Sequence, residues 1–163
     1  MKLRGDTIHS KLVNESKTMI GDLMQPSRAN TSGNVHGGEI MKMMDNAAGI
    51  AAARHARSRT VTARVDCLEF HYPIHIGYFV RCEAQLTFVG TKSMEVLVKV
   101  YSENVKKEEE AILALTGYFT MVSIDENGKP KQVPPLKLSS EEEQKLFEEG
   151  KQRYIARKQT QNK

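Results

Sequence analysis

Cysteine, tryptophan and aromatic residues in general are scarce in this chain. Its 163 residues include two cysteines and no tryptophan, and aromatic residues make up 6% of the total. Cys67 and Cys82 form no CxxC pair, and both lie in apparent strands. We therefore expect two free, buried thiols rather than a disulfide, as in a reducing compartment. This pattern favours a cytoplasmic location.

Long apolar runs are also absent. No segment approaches the ~20 apolar residues that a membrane-spanning helix needs. The N-terminal stretch MKLRGDTIHSKLVNESK is polar and lacks the apolar core of a secretion signal. With 39% hydrophobic and 27% charged residues, the composition is typical of a soluble globular protein. We expect one domain over residues 1–163 and no composition break within it.

The excess of positive charge is modest. The formal net charge is +4, and much of this excess lies in the final GKQRYIARKQTQNK, which has no acidic residue. Two interpretations of this run are open: it is a solvated helix face, or it contacts a phosphate-bearing small ligand. The chain has no groove-reading motif and no stripe of interleaved basic and aromatic residues, so we expect no nucleic-acid partner.

Hydrophobic periodicity predicts one strand, a long helix, four further strands and a terminal helix. The expected ranges are residues 15–25, a helix from Gly37 or Gly38 to about Arg57, strands 60–71, 78–89, 93–102 and 111–124, and a helix at about 139–158. The segments YPIHIG and GTK are interpreted as turns of a strand meander. This order predicts an α+β protein in which a curved antiparallel sheet wraps around a central helix, the hotdog architecture. A plain α+β sandwich is the alternative.

The central helix carries an isolated acid. In the stretch SGNVHGGEIMKMMDNAAGIAAARHA, a helical wheel at ~100° per residue places Asp45 at the border between two faces. Glu39, Lys42 and Asn46 lie on the polar side. The apolar face consists of Ile40, Met44, Ala47, Ala48 and Ala51. Asp45 is then either a half-exposed partner of Lys42 or a functional base at the edge of an apolar cleft, where partial desolvation strengthens a carboxylate as a base.

The turn GNVHGG precedes this helix and is rich in glycine. Each interior glycine costs about 1 kcal/mol relative to alanine, so stability alone does not explain the turn. Glycines let the backbone approach a ligand, and helix-start N–H groups point outward unpaired. Such donors bind a phosphate or the oxyanion of an acyl transfer. The turn lacks the Lys-Ser/Thr pair of a Walker loop.

The sequence gives little support for a metal site or for a serine or cysteine nucleophile. His71 and His75 have the HxxxH spacing, but Pro73 interrupts the segment and prevents a shared helical face, so we expect no metal site. The chain has no GxSxG elbow, and neither cysteine has a glycine-rich reactive setting, which argues against a serine or cysteine nucleophile.

The segment GNVHGGEIMKMMDNAAGIAA closely resembles the signature of the cytosolic acyl-CoA thioester hydrolase family, whose members of this type have a single hotdog domain. The resemblance continues through TVTARVDCLEFHYPIHIGYFVRCEAQLTFVGTKSMEVLVKVYSE and GYFTMVSIDENGKPKQVPPL and covers roughly residues 12–137. One departure is Tyr78, where the family often has an acid.

The resemblance implies hydrolysis of a fatty acyl-CoA to the fatty acid and CoA. It implies Asn34 and Asp45 as the catalytic pair, with Asp45 as general base or, alternatively, as a nucleophile that forms an anhydride. Backbone N–H groups of His36, Gly37 and Gly38 would stabilise the oxyanion. No cofactor is expected, because CoA is part of substrate and product. Two alternatives on the same fold are an acyl-CoA-binding regulatory module without turnover and a dehydratase that uses His36 with Asp45.

CoA also requires a phosphate site. The segment VGTKS contains Gly90, Thr91, Lys92 and Ser93 and matches the CoA-contact region of the family. From the sequence alone, a phosphate-facing loop and an ordinary hairpin turn are equally good interpretations.

The expected assembly is a homo-oligomer. Asn34 and Asp45 are eleven residues apart, and at ~1.5 Å rise per residue Asp45 lies some 12 Å along the helix axis. The two side chains therefore do not meet on one thioester within one chain. A two-fold dimer with antiparallel central helices would bring them together, and the resemblance extends this expectation to a hexamer, a trimer of dimers.

Overall fold

A computed structural model of the chain describes residues 8–161; residues 1–7 of the polar N-terminal stretch quoted above lie outside the described part. The elements, in chain order, are strand β1 (Lys11–Leu12), a 3₁₀ helix (Val13–Glu15), β2 (Thr18–Leu23), a second 3₁₀ helix (Pro26–Arg28), helix α1 (Gly37–Ala56), β3 (Arg59–Phe70), β4 (Phe79–Val89), β5 (Ser93–Glu103), β6 (Ile112–Ile124), β7 (Leu136–Lys137) and helix α2 (Glu141–Gln161). None of the helices in residues 8–161 is long and apolar enough to cross a membrane.

A five-stranded antiparallel sheet surrounds α1. Its strand order is β2-β4-β5-β6-β3, and β1 and β7 form a separate parallel pair. Helix α1 contacts all five strands of the sheet, so the sheet curves around the helix. Helix α2 packs against β4 on the other side. The predicted hotdog architecture, with a central helix and a C-terminal helix, is confirmed.

The core forms where the apolar face of α1 meets the inner face of the sheet. All five residues of the predicted apolar helix face are buried, and four of the buried side chains of α1 are those of Ala47, Ala48, Ala51 and Ala52. Because alanine is small, the strands approach the helix axis closely, and Phe119 and Met121 of β6 fill the remaining space.

The predicted meander is wrong at one point. Strands β4, β5 and β6 are consecutive neighbours, but β3 pairs with β6 and not with β4. The segment YPIHIG is therefore a crossing rather than a hairpin turn. Its Ile74 is buried, and the Ile74 carbonyl accepts a hydrogen bond of 2.8 Å from the N–H of Val35. The crossing leaves β3 at an edge of the sheet.

The two cysteines are free, but only one is buried. Burial raises the pKa of the Cys82 thiol to about 12, so this thiol stays protonated. Cys67 is exposed, which corrects the prediction. It lies at a register shift between Asp66 and Glu69 with a φ of 49°. Its burial was inferred from its position in a strand, but a bulge in an edge strand disrupts the inward–outward alternation there.

His55, at the end of α1, gives stability a dependence on pH. Its side chain is fully buried, Nε2 donates to the Pro134 carbonyl over 2.7 Å, and Nδ1 finds no partner among the described residues. Burial lowers the pKa of His55 from its ordinary 6.5, so the folded protein favours the neutral imidazole. The stabilising contribution is therefore complete above pH ~6.5 and is lost as pH falls toward the folded pKa.

We expect the His55→Gln variant to lose less stability on acidification than the wild type. Below pH ~6.5 the wild type is expected to lose up to ~1.4 kcal/mol of unfolding free energy per pH unit relative to His55→Gln. Denaturant unfolding at pH 7 and pH 5.5 measures it, with His71→Gln, an exposed histidine, as the control. Equal pH dependence in the wild type and His55→Gln would contradict this role.

Candidate active site

The edge strand β3 and the adjoining side of α1 form an exposed apolar face. It consists of Met41 and Ile50 of α1 and Val65 and Phe70 of β3, each at least 39% exposed in the single chain. We call it the α1–β3 face. An uncovered twelve-residue edge strand offers a row of backbone donors and acceptors for pairing with another strand, and apolar side chains beside it favour a partner surface.

Asp45 lies on this face. Its Oδ1 accepts a hydrogen bond of 2.5 Å from Thr62 Oγ1 of β3. Among residues 8–161, Asp45 forms no ion pair with Lys42. The interpretation of Asp45 as a partner of Lys42 is therefore wrong. Thr62 Oγ1 is also 3.5 Å from Met121 Sδ, but a hydroxyl has one proton and the carboxylate accepts the stronger bond. Thr62 thus fixes one carboxylate oxygen of the exposed Asp45, and the other has no hydrogen-bond partner among the described residues.

The sequence did not single out Thr62. It is one of several hydroxyl residues in an alternating strand, and its contact with α1 is tertiary. The one sequence feature that could have indicated Thr62 is its position in the strand directly following the helix.

The loop before α1 presents two oriented carboxamides. Asn34 Oδ1 lies 3.1 Å from His75 Nδ1, which donates to it when that nitrogen carries the proton. Asn30 Oδ1 accepts from the backbone N–H groups of Ser32 and Asn34, at 2.9 and 3.2 Å. Since each oxygen is engaged, each NH₂ group is turned away from these contacts and is available as a donor. Sequence reasoning selected Asn34 and missed Asn30, whose signal was its position at the start of the tight turn NTSGN.

The helix start offers fewer free donors than predicted. The His36 N–H donates to the Arg28 carbonyl over 2.8 Å, and the Gly38 N–H donates to His36 Nδ1 over 3.0 Å. The His36 side chain caps α1 and thereby occupies one of the expected oxyanion donors. Among the described residues the Gly37 N–H has no partner. The three predicted backbone donors therefore reduce to Gly37.

A small cavity adjoins these donors. It has a volume of about 270 Å³ and is lined by Asn30, Asn34, Val35, Gly37, Ile40, Phe70, Tyr72, Pro73, Ile74 and Leu115. A Cβ atom at position 37 would lie 3.1 Å from Phe70 Cε1, so glycine allows the aromatic ring to approach the helix start. The cavity combines apolar walls with two carboxamides and one free N–H.

The predicted catalytic pair is not brought together within one chain. Helix α1 runs along β3 in the opposite direction: Gly37 lies beside Phe70, whereas Asp45 lies beside Thr62. No hydrogen bond within the described chain joins Asn34 to Asp45. The donors and the carboxylate occupy different stretches of the same exposed face.

The loop Gly90–Ser93 is a hairpin turn, and it also borders a basic cavity. The Gly90 N–H donates to the Ser93 carbonyl over 2.8 Å between β4 and β5. Thr91, Lys92 and Ser93, but not Gly90, line an open cavity of about 450 Å³. The other lining residues are Ala63, Arg64, Thr120, Val122, Pro130, Tyr154, Arg157 and Lys158. Two cations of the C-terminal basic run thus face a cavity that also contains Lys92 and Arg64.

Residues 8–161 contain no group of three side chains that could hold a metal ion. His71 and His75 have separate partners: His71 Nε2 lies 3.1 Å from Thr116 Oγ1, and His75 contacts Asn34.

Comparisons of this chain with family models, curated proteins and solved structures all match thioesterases. The family model of the thioesterase superfamily matches residues 32–109. The chain is 42% identical over 147 residues to the cytosolic acyl coenzyme A thioester hydrolase of Mus musculus, which covers 90% of this chain and 39% of the mouse protein. It is 39% identical over 153 residues to Bacillus subtilis YkhA, named an uncharacterized acyl-CoA thioester hydrolase, which covers 94% of this chain and 88% of that protein. A crystal structure of an apo-hexameric acyl-CoA thioesterase superposes with a TM-score of 0.89 at 36% identity, covering 94% of this chain and 97% of the other. The chain thus spans about two fifths of the length of the mouse relative and nearly all of the bacterial one.

Proposed function

Because the chain belongs to the acyl-CoA thioester hydrolase family of the thioesterase superfamily, we propose that it hydrolyses fatty acyl-CoA thioesters to the fatty acid and CoA. The observation that carries the proposal is the position of Asp45. It is an exposed carboxylate, oriented by Thr62, on a face that is otherwise largely apolar. Burying a carboxylate in a partner interface costs free energy, so its presence on this face favours a functional role.

The site is completed by a second copy of the chain. Two β3 strands pairing antiparallel about a two-fold axis would cover the α1–β3 face and extend the sheet. In that arrangement the Gly37 end of one subunit faces the Asp45 region of its partner. Each dimer then holds two sites, each with donors from one subunit and the carboxylate from the other. The hexameric relative supports a homo-oligomer, either this dimer or a trimer of such dimers.

In the reaction, the free oxygen of Asp45 accepts a proton from water, and the water oxygen attacks the thioester carbonyl carbon. Negative charge develops on the carbonyl oxygen, where the Gly37 N–H and a loop carboxamide NH₂ donate. As the C–S bond breaks, the proton held by Asp45 passes to the leaving sulfur. The products are the free acid and CoA thiol, and no cofactor is required.

The cavity beside the Gly90–Ser93 turn is proposed to bind the phosphates of CoA. Lys92 is exposed and has no carboxylate partner among the described residues. Its ammonium is therefore available to a phosphate, which it binds as a point charge.

We expect Lys92→Ala to lower kcat/KM for an acyl-CoA about tenfold relative to kcat/KM for the same acyl group on N-acetylcysteamine, which has no nucleotide. Paired assays of thiol release measure this ratio. Lys106→Ala, which removes an exposed lysine outside the cavity, is the control. If kcat/KM falls equally for both substrates, the Gly90–Ser93 loop is a hairpin turn with no role in binding CoA.

The function itself is tested by thiol release from acyl-CoA esters of increasing length, from acetyl to palmitoyl. Turnover of at least one ester is expected, and the length profile identifies the substrate. Binding of acyl-CoA without thiol release from any ester would instead support a regulatory binding module. The location is proposed to be cytoplasmic, in agreement with the word cytosolic in the name of the mouse relative.

A further inference from the structure

A buried carboxylate lies on the outer face of the sheet. Glu95 of β5 is 1% exposed. Arg153 of α2 donates to both of its oxygens, from Nε over 3.0 Å and from Nη2 over 2.8 Å, and Thr87 Oγ1 donates over 2.8 Å. The hydrogen bond to Glu95 raises the pKa of Arg153. The pair is thus a charged, bidentate bridge between the sheet and α2.

The position of α2 is fixed further by close packing at Gly150. A Cβ atom there would lie 2.7 Å from Phe88 Cβ and 2.8 Å from Glu95 Oε1. The rings of Phe147 and Tyr154 pack on either side, with centroids 5.1 and 5.2 Å from that of Phe88. The helix therefore approaches the sheet as closely as its backbone allows.

The next turn of α2 reaches the basic cavity. Arg157 Nη1 lies 3.5 Å from Glu95 Oε2 and 3.3 Å from Asp66 Oδ2. These two carboxylates hold its guanidinium at the cavity wall, where Arg64, itself paired with Asp66, and Lys92 also lie. Lys158 lines the same cavity and has no carboxylate partner in the described part of the chain. The cations outnumber the carboxylates, which leaves positive charge for an anion.

We propose that helix α2 forms one wall of the site for the phosphorylated nucleotide of CoA, with Glu95 as the positioning residue that holds the helix in place. Arg157 and Lys158 contribute phosphate contacts opposite Lys92. This inference rests on the proposed function, since it assigns the nucleotide end of the same substrate. The proposal assigns a phosphate-binding role to part of the C-terminal basic run, while other residues of the run lie on a solvated helix face.

The test measures binding of free CoA and of pantetheine to the full chain by calorimetry. We expect the double variant Arg157→Gln/Lys158→Gln to lower the affinity ratio of CoA to pantetheine at least tenfold. Lys145→Gln, an exposed lysine on α2 outside the cavity, is the matched control and is expected to keep the wild-type ratio.

A second variant moves the helix without changing any charge. Gly150→Ala favours helix formation locally, yet its Cβ displaces α2 from Phe88 and Glu95. We expect it to reduce the CoA-to-pantetheine ratio, and to reduce it less when Arg157 and Lys158 are already replaced, because the two changes act on the same contacts.

An unchanged ratio in Arg157→Gln/Lys158→Gln would overturn the proposal, whether or not Gly150→Ala folds. If the wild type binds CoA through these cations but releases no thiol from any ester, the proposed hydrolysis fails while the role of α2 stands. If the wild type does not bind CoA, both fail.

Discussion

Asp45→Asn is expected to lower kcat for the best acyl-CoA substrate by ~10²–10⁴-fold, the usual effect of losing a general base. Asparagine keeps the size of the side chain and an oxygen that can accept the Thr62 hydroxyl, whose bond to Asp45 Oδ1 spans 2.5 Å. The variant cannot, however, take a proton from water. Because Asp45 does not line the basic cavity, CoA affinity is expected to stay close to that of the wild type.

Steady-state thiol release gives kcat, and calorimetry with CoA checks binding. Glu39→Gln is the matched control, since it neutralises another carboxylate of α1 that lies on the polar side of the helix. Wild-type turnover in Asp45→Asn would reduce Asp45 to a surface acid and would remove the main support for the proposed mechanism.

Much of the fold could be predicted because it follows from local patterns. The long strands begin and end within one or two residues of the expected positions, and α1 spans Gly37–Ala56 as its alanine-rich sequence indicated. The pairing of β3 with β6 could not be predicted this way. It is formed by a ladder between strands about fifty residues apart in the chain, linked to β4 by a crossing that contains the buried Ile74, and no periodicity encodes contacts between distant segments.

In the candidate site, too, local features could be predicted from the sequence and tertiary contacts could not. Helical periodicity placed Asp45 at the border of the apolar face, and the structure places it on an exposed surface beside β3. The partner of Asp45 was not predictable, because i−3 spacing allows Lys42 whereas tertiary packing supplies Thr62. The number of free donors was overestimated because the sequence does not show that the His36 side chain caps α1 and engages Gly38.

Activity is expected to return when two inactive chains are refolded together. One chain, the loop variant, carries Asn30→Asp and Asn34→Asp, which keep the oxygens that Ser32 N–H and His75 contact but remove both NH₂ donors. The other, the base variant, carries Asp45→Ala. In a mixed dimer with shared sites, one site collects all the substitutions and the other collects none.

With equal amounts and random pairing, about half of the dimers are mixed and each has one intact site of two, so about a quarter of wild-type activity is expected. Each variant refolded alone serves as the control and is expected to stay inactive. A trimer of dimers changes nothing in this ratio, because each site still needs only the two chains of one dimer. If mixed dimers are demonstrated by differential tagging and no activity returns, the donors and Asp45 act within the same chain, and the two-fold pairing of β3 strands is not what completes the site.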